Sequence, residues 1–239
     1  VTYPRTDSRY LTDGMAATVP ELVSVAAKLL DVDAPASVNA EQVCDSSKVT
    51  DHHAVVPTAS AASANLAALP EGETAVLRLV CRQLLCAVSE PFTYAETTVE
   101  AECGGHTFRT RGKTIIDLGW RAYKGAPEWS PLSELSEDAS LAITSAMVKE
   151  GKTTPPAAYT EDTLLSAMEH AGAKEAPADA ERRGLGTPAT RAATIEKLVN
   201  GGFAERVKGK LVPTDTGASL VTVLPEALRS PLLTAEWES

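Results

Sequence analysis

Residues 73–89, "ETAVLRLVCRQLLCAVS", show a helical pattern from which the fold of the N-terminal part of this 239-residue chain can be predicted. Apolar residues recur in this stretch at intervals of three and four, which is the spacing of one face of an α-helix. The apolar stripe consists of Leu77, Val80, Leu84 and Val88. Such a stripe is typical of a helix that packs against a core, so we interpret it as core and not as a cofactor contact.

A second helix is predicted upstream of this one. Pro20 is suited to the first position of a helix, because its φ is already fixed near the helical value and its missing N–H would be unpaired there in any case. Residues 21–30, "ELVSVAAKLL", then carry apolar residues at helical spacing. Residues 1–88 are therefore predicted to form a helical domain.

The following region has the period of two that is typical of β-strands. In residues 94–103, "YAETTVEAEC", small or apolar residues alternate with glutamates. Gly104–Gly105 comes next and is a hairpin signal. Residues 106–120 and 140–152 resemble further strands, so residues 89–152 are predicted to form an antiparallel β segment.

The C-terminal region returns to helical patterns. Thr160 and Thr187 are each suited to the N-cap of a helix, and Pro188 is suited to the first position of the second helix. A hairpin is predicted about Lys208–Gly209. Two helices followed by a basic hairpin are the order of a winged helix-turn-helix module, so residues 153–239 are predicted to be helical and winged-helix-like. The fold class expected for the whole chain is α+β, multidomain and mainly helical.

Composition excludes several classes of protein. No apolar run approaches the roughly 18 residues that a membrane-spanning helix needs, so no membrane association is expected. No basic leader precedes an apolar segment, so nothing indicates secretion. The four cysteines show neither CxxC spacing nor nearby paired histidines, which disfavours a zinc site and favours reduced thiols in a cytoplasmic protein.

Charge is unevenly distributed along the chain. The net charge of −10 by itself disfavours nucleic-acid binding. Residues 182–210, however, contain seven basic residues against two acidic ones. Such a basic segment is able to form a local phosphate-binding surface on an acidic chain. The alternative is a charged face that only contacts solvent.

A tyrosine and an arginine near the N-terminus form the first candidate site. In residues 2–12, "TYPRTDSRYLT", Tyr3 has polar and charged neighbours instead of those of a core tyrosine. Pro4 disfavours helical backbone at Tyr3, so Tyr3 and Arg5 are expected on the same side of an extended segment, about 6–7 Å apart. Arg5 could donate two hydrogen bonds to a phosphate and favour the phenolate, which suits the pair to attack on a phosphodiester. The alternative is a frayed terminal tyrosine with its hydroxyl in water.

The second candidate site is Asp51–His52–His53, where half of the four histidines of the chain lie. Adjacent histidines on a loop are suited to move a proton or to donate to a phosphate. A structural histidine beside a solvent-exposed one is an equal alternative. Lys48 and Thr50 add donors of the kind that position a nucleic-acid backbone.

The third candidate site is the segment 182–192, "RRGLGTPATRA". Its glycines allow close approach of a backbone, and Thr187 and Thr190 place hydroxyls at a helix N-terminus, where a phosphate is favoured. Three arginines add positive charge: Arg182, Arg183 and Arg191. An ordinary capped helix would explain Thr187 but not the flanking arginines.

Together these segments resemble the motifs of type IA DNA topoisomerases, and within that family the topoisomerase III branch. "TYPRTDSRYLT" resembles the active-site segment of the family, and "SKVTDHHAVVPT" (residues 47–58) resembles its histidine loop with the doubled histidine of topoisomerase III. "TPPAAYTEDTLLSAME" (residues 154–169) and "GLGTPATRA" (residues 184–192) resemble its DNA-gripping helical region. The segments follow the order of the family and span nearly the whole chain.

The resemblance implies a role for each matching residue. Tyr3 would be the nucleophile that cleaves one DNA strand, forming a 5′-phosphotyrosyl link and releasing a 3′-hydroxyl. Arg5 would hold the scissile phosphate, and His52 would be the active-site histidine, while His53 receives no role. Attack by the 3′-hydroxyl would rejoin the strand without ATP, which agrees with the absence of a GxxxxGK[ST] motif from the sequence.

The resemblance also implies an architecture. Residues 1–88 would be most of the movable domain that bears the tyrosine, and residues 89–152 would belong to the arch that carries this domain. Residues 153–239 would be part of the base that holds single-stranded DNA.

A further implication concerns parts that are not in this sequence. The family has an N-terminal metal-binding (Toprim) domain with an acidic cluster, a Glu and a Lys, which we expect to lie in residues before Val1 that are missing from this sequence. We therefore expect a fragment of a longer bacterial enzyme that binds Mg²⁺ through that domain, with no metal or other cofactor in this chain. The fragment is expected to be monomeric, to bind single-stranded DNA, to be inactive alone, and to lie in the cytoplasm with the nucleoid.

Other classes of protein stay open at this point. A non-enzymatic winged-helix regulator would explain residues 160–214 but would leave Tyr3, Arg5 and His52 without a role. A tyrosine recombinase would need more catalytic arginines and no metal. An interaction module without nucleic acid is the third alternative.

Overall fold

The computed structural model describes residues 1–49, 51–133, 135–172, 184–230 and 233. The chain divides into two compact units, Val1–Thr144 and Ser145–Ser239. The regular structure of the described residues consists of helices and two small antiparallel sheets, which confirms the α+β class. The division into three domains at residues 88 and 152 stays a prediction.

Two helices, α1 (Val19–Leu30) and α2 (Glu71–Val88), pack against each other and form the core of the first unit. The buried residues of α2 are Leu77, Cys81, Leu84, Leu85 and Val88. The predicted stripe omits Cys81 and Leu85, which are 0% exposed, and includes Val80, which is only half-buried. The buried face of α2 is therefore broader than a single row of residues at helical spacing.

Local sequence accounts for both ends of α1. Pro20 lies in its first turn, as predicted, at a position where no N–H is required. The helix ends where Asp31 adopts a left-handed conformation with φ of 58°, and the Asp31 N–H still donates to the carbonyls of Ala27 and Lys28. Aspartate tolerates this conformation better than most residues.

In the described part of the chain, three short 3₁₀ helices lie between α1 and α2: Ser46–Lys48, Ala59–Ser63 and Leu66–Ala68.

A long hairpin follows α2, formed by β1 (Thr93–Cys103) and β2 (His106–Asp117). The predicted turn at Gly104–Gly105 is confirmed, and both glycines have positive φ, of 58° and 77°. Such a turn matches the twist of the two strands and favours glycine. Opposite charges pair across the hairpin, for example Glu96 with Lys113 at 3.2 Å.

The expected strand over residues 140–152 is wrong, since these residues have neither helix nor strand. Their large apolar side chains are exposed: Leu141, Ile143, Met147 and Val148. Alternation of apolar residues is only half of what a strand requires, because its backbone must also pair with a neighbouring strand. Within the described residues the sheet that precedes this segment has two strands, β1 and β2, which pair with each other.

The second unit begins its regular structure with α3 (Glu161–His170) and α4 (Pro188–Asn200). Strands β3 (Ala204–Val207) and β4 (Lys210–Pro213) then form the predicted hairpin about Lys208–Gly209. Two more helices follow: α5 (Asp215–Val223) and α6 (Glu226–Arg229).

Threonines begin α3 and α4 as predicted. The Thr163 N–H donates to the hydroxyl of Thr160 at 3.2 Å, and the Thr160 N–H donates to the hydroxyl of Thr163 at 2.8 Å. This reciprocal capping satisfies two donors that would otherwise lack partners at a helix start. Across the described residues of both units, none of the helices is long and apolar enough to cross a membrane.

Replacement of a buried leucine on α2 tests the assigned core. Leu85→Ala is expected to lower the free energy of unfolding by roughly 2–5 kcal/mol, because it leaves a cavity between α1 and α2. Leu79 on the same helix is 55% exposed. The control Leu79→Ala is therefore expected to change stability by less than about 0.5 kcal/mol.

The measurement is urea unfolding followed by tryptophan fluorescence, because Trp120 and Trp129, two of the three tryptophans, lie in the first unit. Equal losses in the two variants would show that the buried face of α2 has been assigned wrongly.

Candidate active site and nucleic-acid interface

The candidate site of the first unit lies where residues 2–11 run alongside residues 43–56. The Thr2 N–H donates to the carbonyl of Val56 at 2.9 Å, and the Ala54 N–H donates to the carbonyl of Tyr10 at 2.8 Å. Leu11 forms an isolated bridge, donating to the Val43 carbonyl and accepting from the Asp45 N–H. These bonds fix a segment that has no helix or strand of its own.

The rings of Tyr3 and His52 are in contact, with centroids 4.4 Å apart and planes tilted by 47°. Tyr3 is 52% exposed, and His52 is also exposed. The structure therefore brings together two residues that the sequence nominated separately. Because the phenol is not covered by the protein, it is accessible to a large substrate.

Arg5 is exposed, and its guanidinium makes no hydrogen bond or ion pair with another residue in the described part of the chain. The chain bends at Pro4, so the alternation of a regular strand does not relate the side chains of Tyr3 and Arg5. The expected same-side placement therefore has no strand geometry to support it. What the structure does show is a free cation two residues from an exposed phenol.

Lys48, which the sequence nominates as a DNA contact, has partners within the protein. Its ammonium lies 2.9 Å from a carboxylate oxygen of Asp45 and 4.4 Å from the centroid of the Tyr10 ring. The hydrogen bond between these two side chains raises the pKa of Lys48 and lowers the pKa of Asp45. The Asp45 carboxylate offsets the charge that Lys48 could offer to a phosphate. Thr50, the other nominated donor of this loop, lies outside the described residues.

His53 differs from its neighbour His52. It is half-buried, and its Nδ1 lies 2.7 Å from the carbonyl oxygen of Ala54. The sequence leaves His53 without a role, and the structure gives it a local contact with the backbone.

Two hydroxyl residues that sequence reasoning missed also join the Tyr3 segment to the histidine loop. The Thr6 hydroxyl donates to the carbonyl of His52 at 2.7 Å, and the Ser8 hydroxyl donates to the carbonyl of Lys48 at 2.8 Å. The signal in the sequence is the alternation of Thr6 and Ser8 in an otherwise charged stretch. That signal becomes meaningful only once the partner segment is known.

The described residues do not fit a magnesium site. Among them, no group of three or more His, Cys, Asp or Glu side chains is arranged so that it could hold a metal ion.

In the second unit, Arg191 is 8% exposed and is bonded to the protein itself. Its Nε donates to the carbonyl of Leu185 and its Nη2 to the carbonyl of Gly186, both at 3.1 Å. The same loop packs on the end of α3, where the Leu185 N–H donates to the Met168 carbonyl at 2.7 Å. Gly184 has φ of 97°, and a Cβ there would lie 2.4 Å from the Glu169 carbonyl oxygen. Arg191 as a direct DNA contact stays a prediction, and the structure shows it holding this loop.

The other nominated residues of this region fall into two groups. The hydroxyl of Thr190 accepts from the Thr187 N–H at 2.9 Å, so these two threonines are engaged in starting α4. Arg182 and Arg183 lie outside the described residues.

The remaining basic residues of the segment also differ in their availability. Arg206 donates to carboxylates of Glu161 and Glu196. Three lysines are exposed and form no ion pair within the described ranges: Lys197, Lys208 and Lys210. Among the described residues of this region, these lysines are therefore available cations.

Comparison with known proteins identifies the family. The sequence profile of the DNA topoisomerase family matches residues 1–239. The DNA topoisomerase 3 of Bacillus licheniformis is 37% identical over 262 residues, which cover 100% of this chain and 35% of that protein. The DNA topoisomerase 3 of Bacillus subtilis strain 168 is 35% identical over 260 residues, which cover 100% of this chain and 36% of that protein. This chain belongs to the DNA topoisomerase family.

The resemblance to the topoisomerase III branch is confirmed by these relatives. A solved structure, full-length topoisomerase I from Thermotoga maritima, shares the fold with a TM-score of 0.64 at 22% identity, over 99% of this chain and 37% of that one. The chain spans only 35% of the length of the Bacillus licheniformis relative.

Replacement of Arg191 distinguishes a loop-holding role from a DNA contact. Arg191→Met keeps the length of the side chain but removes both donors, so two carbonyls lose their partners and stability should fall by about 1–3 kcal/mol. Amide hydrogen exchange in residues 184–192 should then become faster. The control is Lys197→Met, an exposed position on the same helix, which should leave exchange unchanged.

The measurement is hydrogen exchange followed by mass spectrometry on the whole chain. Unchanged exchange in Arg191→Met, together with lost binding of single-stranded DNA, would show that Arg191 contacts DNA instead of holding the loop.

Proposed function

We propose that this chain is the tyrosine-bearing part of a type IA DNA topoisomerase of the topoisomerase III branch, with Tyr3 as the nucleophile, Arg5 as the phosphate-binding residue and His52 as the active-site histidine. The observation that carries the proposal is the contact between the exposed rings of Tyr3 and His52. The free guanidinium of Arg5 on the same segment adds the cation that a phosphate requires.

The chemistry is an exchange of phosphodiester bonds. The Tyr3 oxygen attacks phosphorus, the bond to the 3′ oxygen breaks, and that oxygen leaves as a 3′-hydroxyl after gaining a proton. The DNA strand is then joined to Tyr3 through its 5′ phosphate. Because one phosphoester replaces another, the reverse attack by the 3′-hydroxyl reseals the strand without ATP. The ring of His52 lies 4.4 Å from that of Tyr3, centroid to centroid, and His52 is proposed to help move the proton once DNA is bound.

The parts of the site that this chain supplies are those that bind and attack. In the complete polypeptide, Mg²⁺ and a Toprim domain outside this sequence would supply further stabilisation of charge on the phosphate. We propose that the chain alone does not relax DNA, that it is a monomer, and that the complete enzyme works on bacterial DNA in the cytoplasm.

The second unit is proposed to hold single-stranded DNA. Its order of α3, α4 and the β3–β4 hairpin supports a winged-helix-like module. Exposed Lys197, Lys208 and Lys210 supply positive charge, and Arg182, Arg183, Thr187 and Thr190 stay predicted contacts. A non-enzymatic regulator has no support, because its duplex-binding module would leave the Tyr3–His52 pair unexplained.

Removal of the Tyr3 hydroxyl tests the proposed nucleophile. The polypeptide is extended to the length of its relatives and incubated with a single-stranded oligonucleotide labelled at its 3′ end, since the 5′ phosphate of the 3′ fragment would become attached. Tyr3→Phe is expected to abolish the labelled covalent adduct, because no oxygen remains to attack phosphorus. Tyr159, in the second unit, is equally exposed at 52%, so Tyr159→Phe is the matched control.

Denaturing gel electrophoresis measures the adduct. An adduct that persists in Tyr3→Phe would assign the nucleophile to another residue and overturn the proposed function.

Binding of single-stranded DNA by the chain itself is a separate test. Each lysine that contacts a phosphate should contribute about 0.7 to the slope of log K against log salt concentration. Lys208→Ala and Lys210→Ala should each weaken binding and reduce this slope, whereas Lys28→Ala on α1 of the first unit should do neither. Fluorescence anisotropy at several salt concentrations measures both quantities, and an unchanged slope would show that the hairpin lysines contact only solvent.

A further inference from the structure

Thr6 uses its single hydroxyl for two hydrogen bonds and Ser8 for three, one of which is a longer bond to the Tyr10 carbonyl at 3.3 Å. The Thr6 oxygen accepts from the Ser8 N–H at 3.1 Å, and the Ser8 oxygen accepts from the Tyr10 N–H at 3.1 Å. Each hydroxyl also donates across to the histidine loop, Thr6 to the carbonyl of His52 and Ser8 to the carbonyl of Lys48. We name these two residues the hydroxyl pair.

The geometry of the hydroxyl pair leaves little freedom to the histidine loop. Accepting from the N–H two residues ahead fixes each oxygen relative to its own backbone, as in other local turns built on serine and threonine. The donated bonds then hold the backbone at His52 and at Lys48. The two segments are therefore in a fixed register and not merely adjacent.

A third hydroxyl acts on the other side of Tyr3. The Thr2 oxygen accepts from the Val56 N–H at 3.0 Å, and the Thr2 N–H donates to the Val56 carbonyl. Tyr3 thus lies between two crossing points, at Thr2 and at Thr6. Thr2 bonds to the backbone of Val56, four residues after His52, whereas Thr6 bonds to the carbonyl of His52 itself.

The ring of His52 depends on this backbone bond for its position. It makes no hydrogen bond to another side chain or carbonyl among the described residues, and it is exposed. Two interactions hold His52 in place: the tilted contact of its ring with that of Tyr3, and the hydrogen bond from Thr6 to its carbonyl. Without the Thr6 bond, an exposed loop would be free to carry the imidazole away from the phenol.

We propose that Thr6 and Ser8 are positioning residues that hold the His52 loop so that the imidazole stays against the Tyr3 ring. The proposal rests on the proposed function, in which Tyr3 is the nucleophile, and adds the residues that set the geometry of the pair. Neither residue touches the reacting atoms. Their effect reaches the imidazole through the backbone carbonyls of His52 and Lys48.

The first test needs no activity. Thr6→Val keeps the shape of the side chain but removes the hydroxyl, whereas Thr6→Ser keeps it. In the chain itself, with labelled tyrosine and histidine, a nuclear Overhauser effect is expected between the ring protons of Tyr3 and His52, lost in Thr6→Val and retained in Thr6→Ser. Ser8→Ala should weaken it.

Thr18→Val is the matched control. Its hydroxyl also donates to a carbonyl at 2.7 Å, that of Met15, but it does not reach the histidine loop. This variant should retain the Tyr3–His52 signal, and all variants should melt within a few degrees of the parent chain. A retained signal in Thr6→Val would overturn the proposal, as would equal loss in Thr18→Val.

The second test uses the polypeptide extended to the length of its relatives and the rate of covalent adduct formation. A displacement of a reacting group by about 1 Å costs up to roughly 100-fold in rate, so Thr6→Val should slow the adduct by at least about tenfold. Thr6→Ser should recover most of the rate. An unchanged rate in Thr6→Val, with the adduct abolished in Tyr3→Phe, would reject the positioning role and leave the nucleophile in place. An adduct in Tyr3→Phe would instead reject the proposed function.

Discussion

The candidate active site depends on one constraint, which is that residues 2–11 take their shape from another part of the chain. This segment has no helix or strand of its own and is held by hydrogen bonds to residues 43–56. Burial also holds the two segments together. Leu11 is 1% exposed and Val56 is 4% exposed, and both belong to the core formed with α1 and α2. Packing of the two helices therefore determines where the tyrosine lies.

Arg5 differs from two arginines of the second unit in its bonding. In the first unit the guanidinium of Arg5 stays unpaired within the described part of the chain, next to an exposed phenol and imidazole. In the second unit Arg191 donates hydrogen bonds to backbone carbonyls, and Arg206 donates to carboxylates of the protein. Among the described residues of this segment, a count of basic residues therefore overstates the charge offered to DNA, because only the lysines are both exposed and without an ion pair there.

Much of the fold could be predicted because the relevant signals are local. Thr160 begins a helix through contacts three residues away, and Gly104–Gly105 turns a hairpin through its own backbone angles. The apolar spacing of α2 likewise gave its buried side, although not its full width. The expected strand over residues 140–152 failed, because pairing depends on a neighbour that spacing cannot supply.

The sequence by itself determined the helical and hairpin elements, the family resemblance and the identity of Tyr3, Arg5 and His52 as candidate residues. Only the tertiary structure decided that the rings of Tyr3 and His52 touch, that Thr6 bonds to a carbonyl 46 residues away, and that Arg191 is turned inward. The physical reason is the range of the interactions. Caps and turns are set by residues within three or four positions, whereas burial and cross-segment hydrogen bonds depend on which distant segments the core brings together.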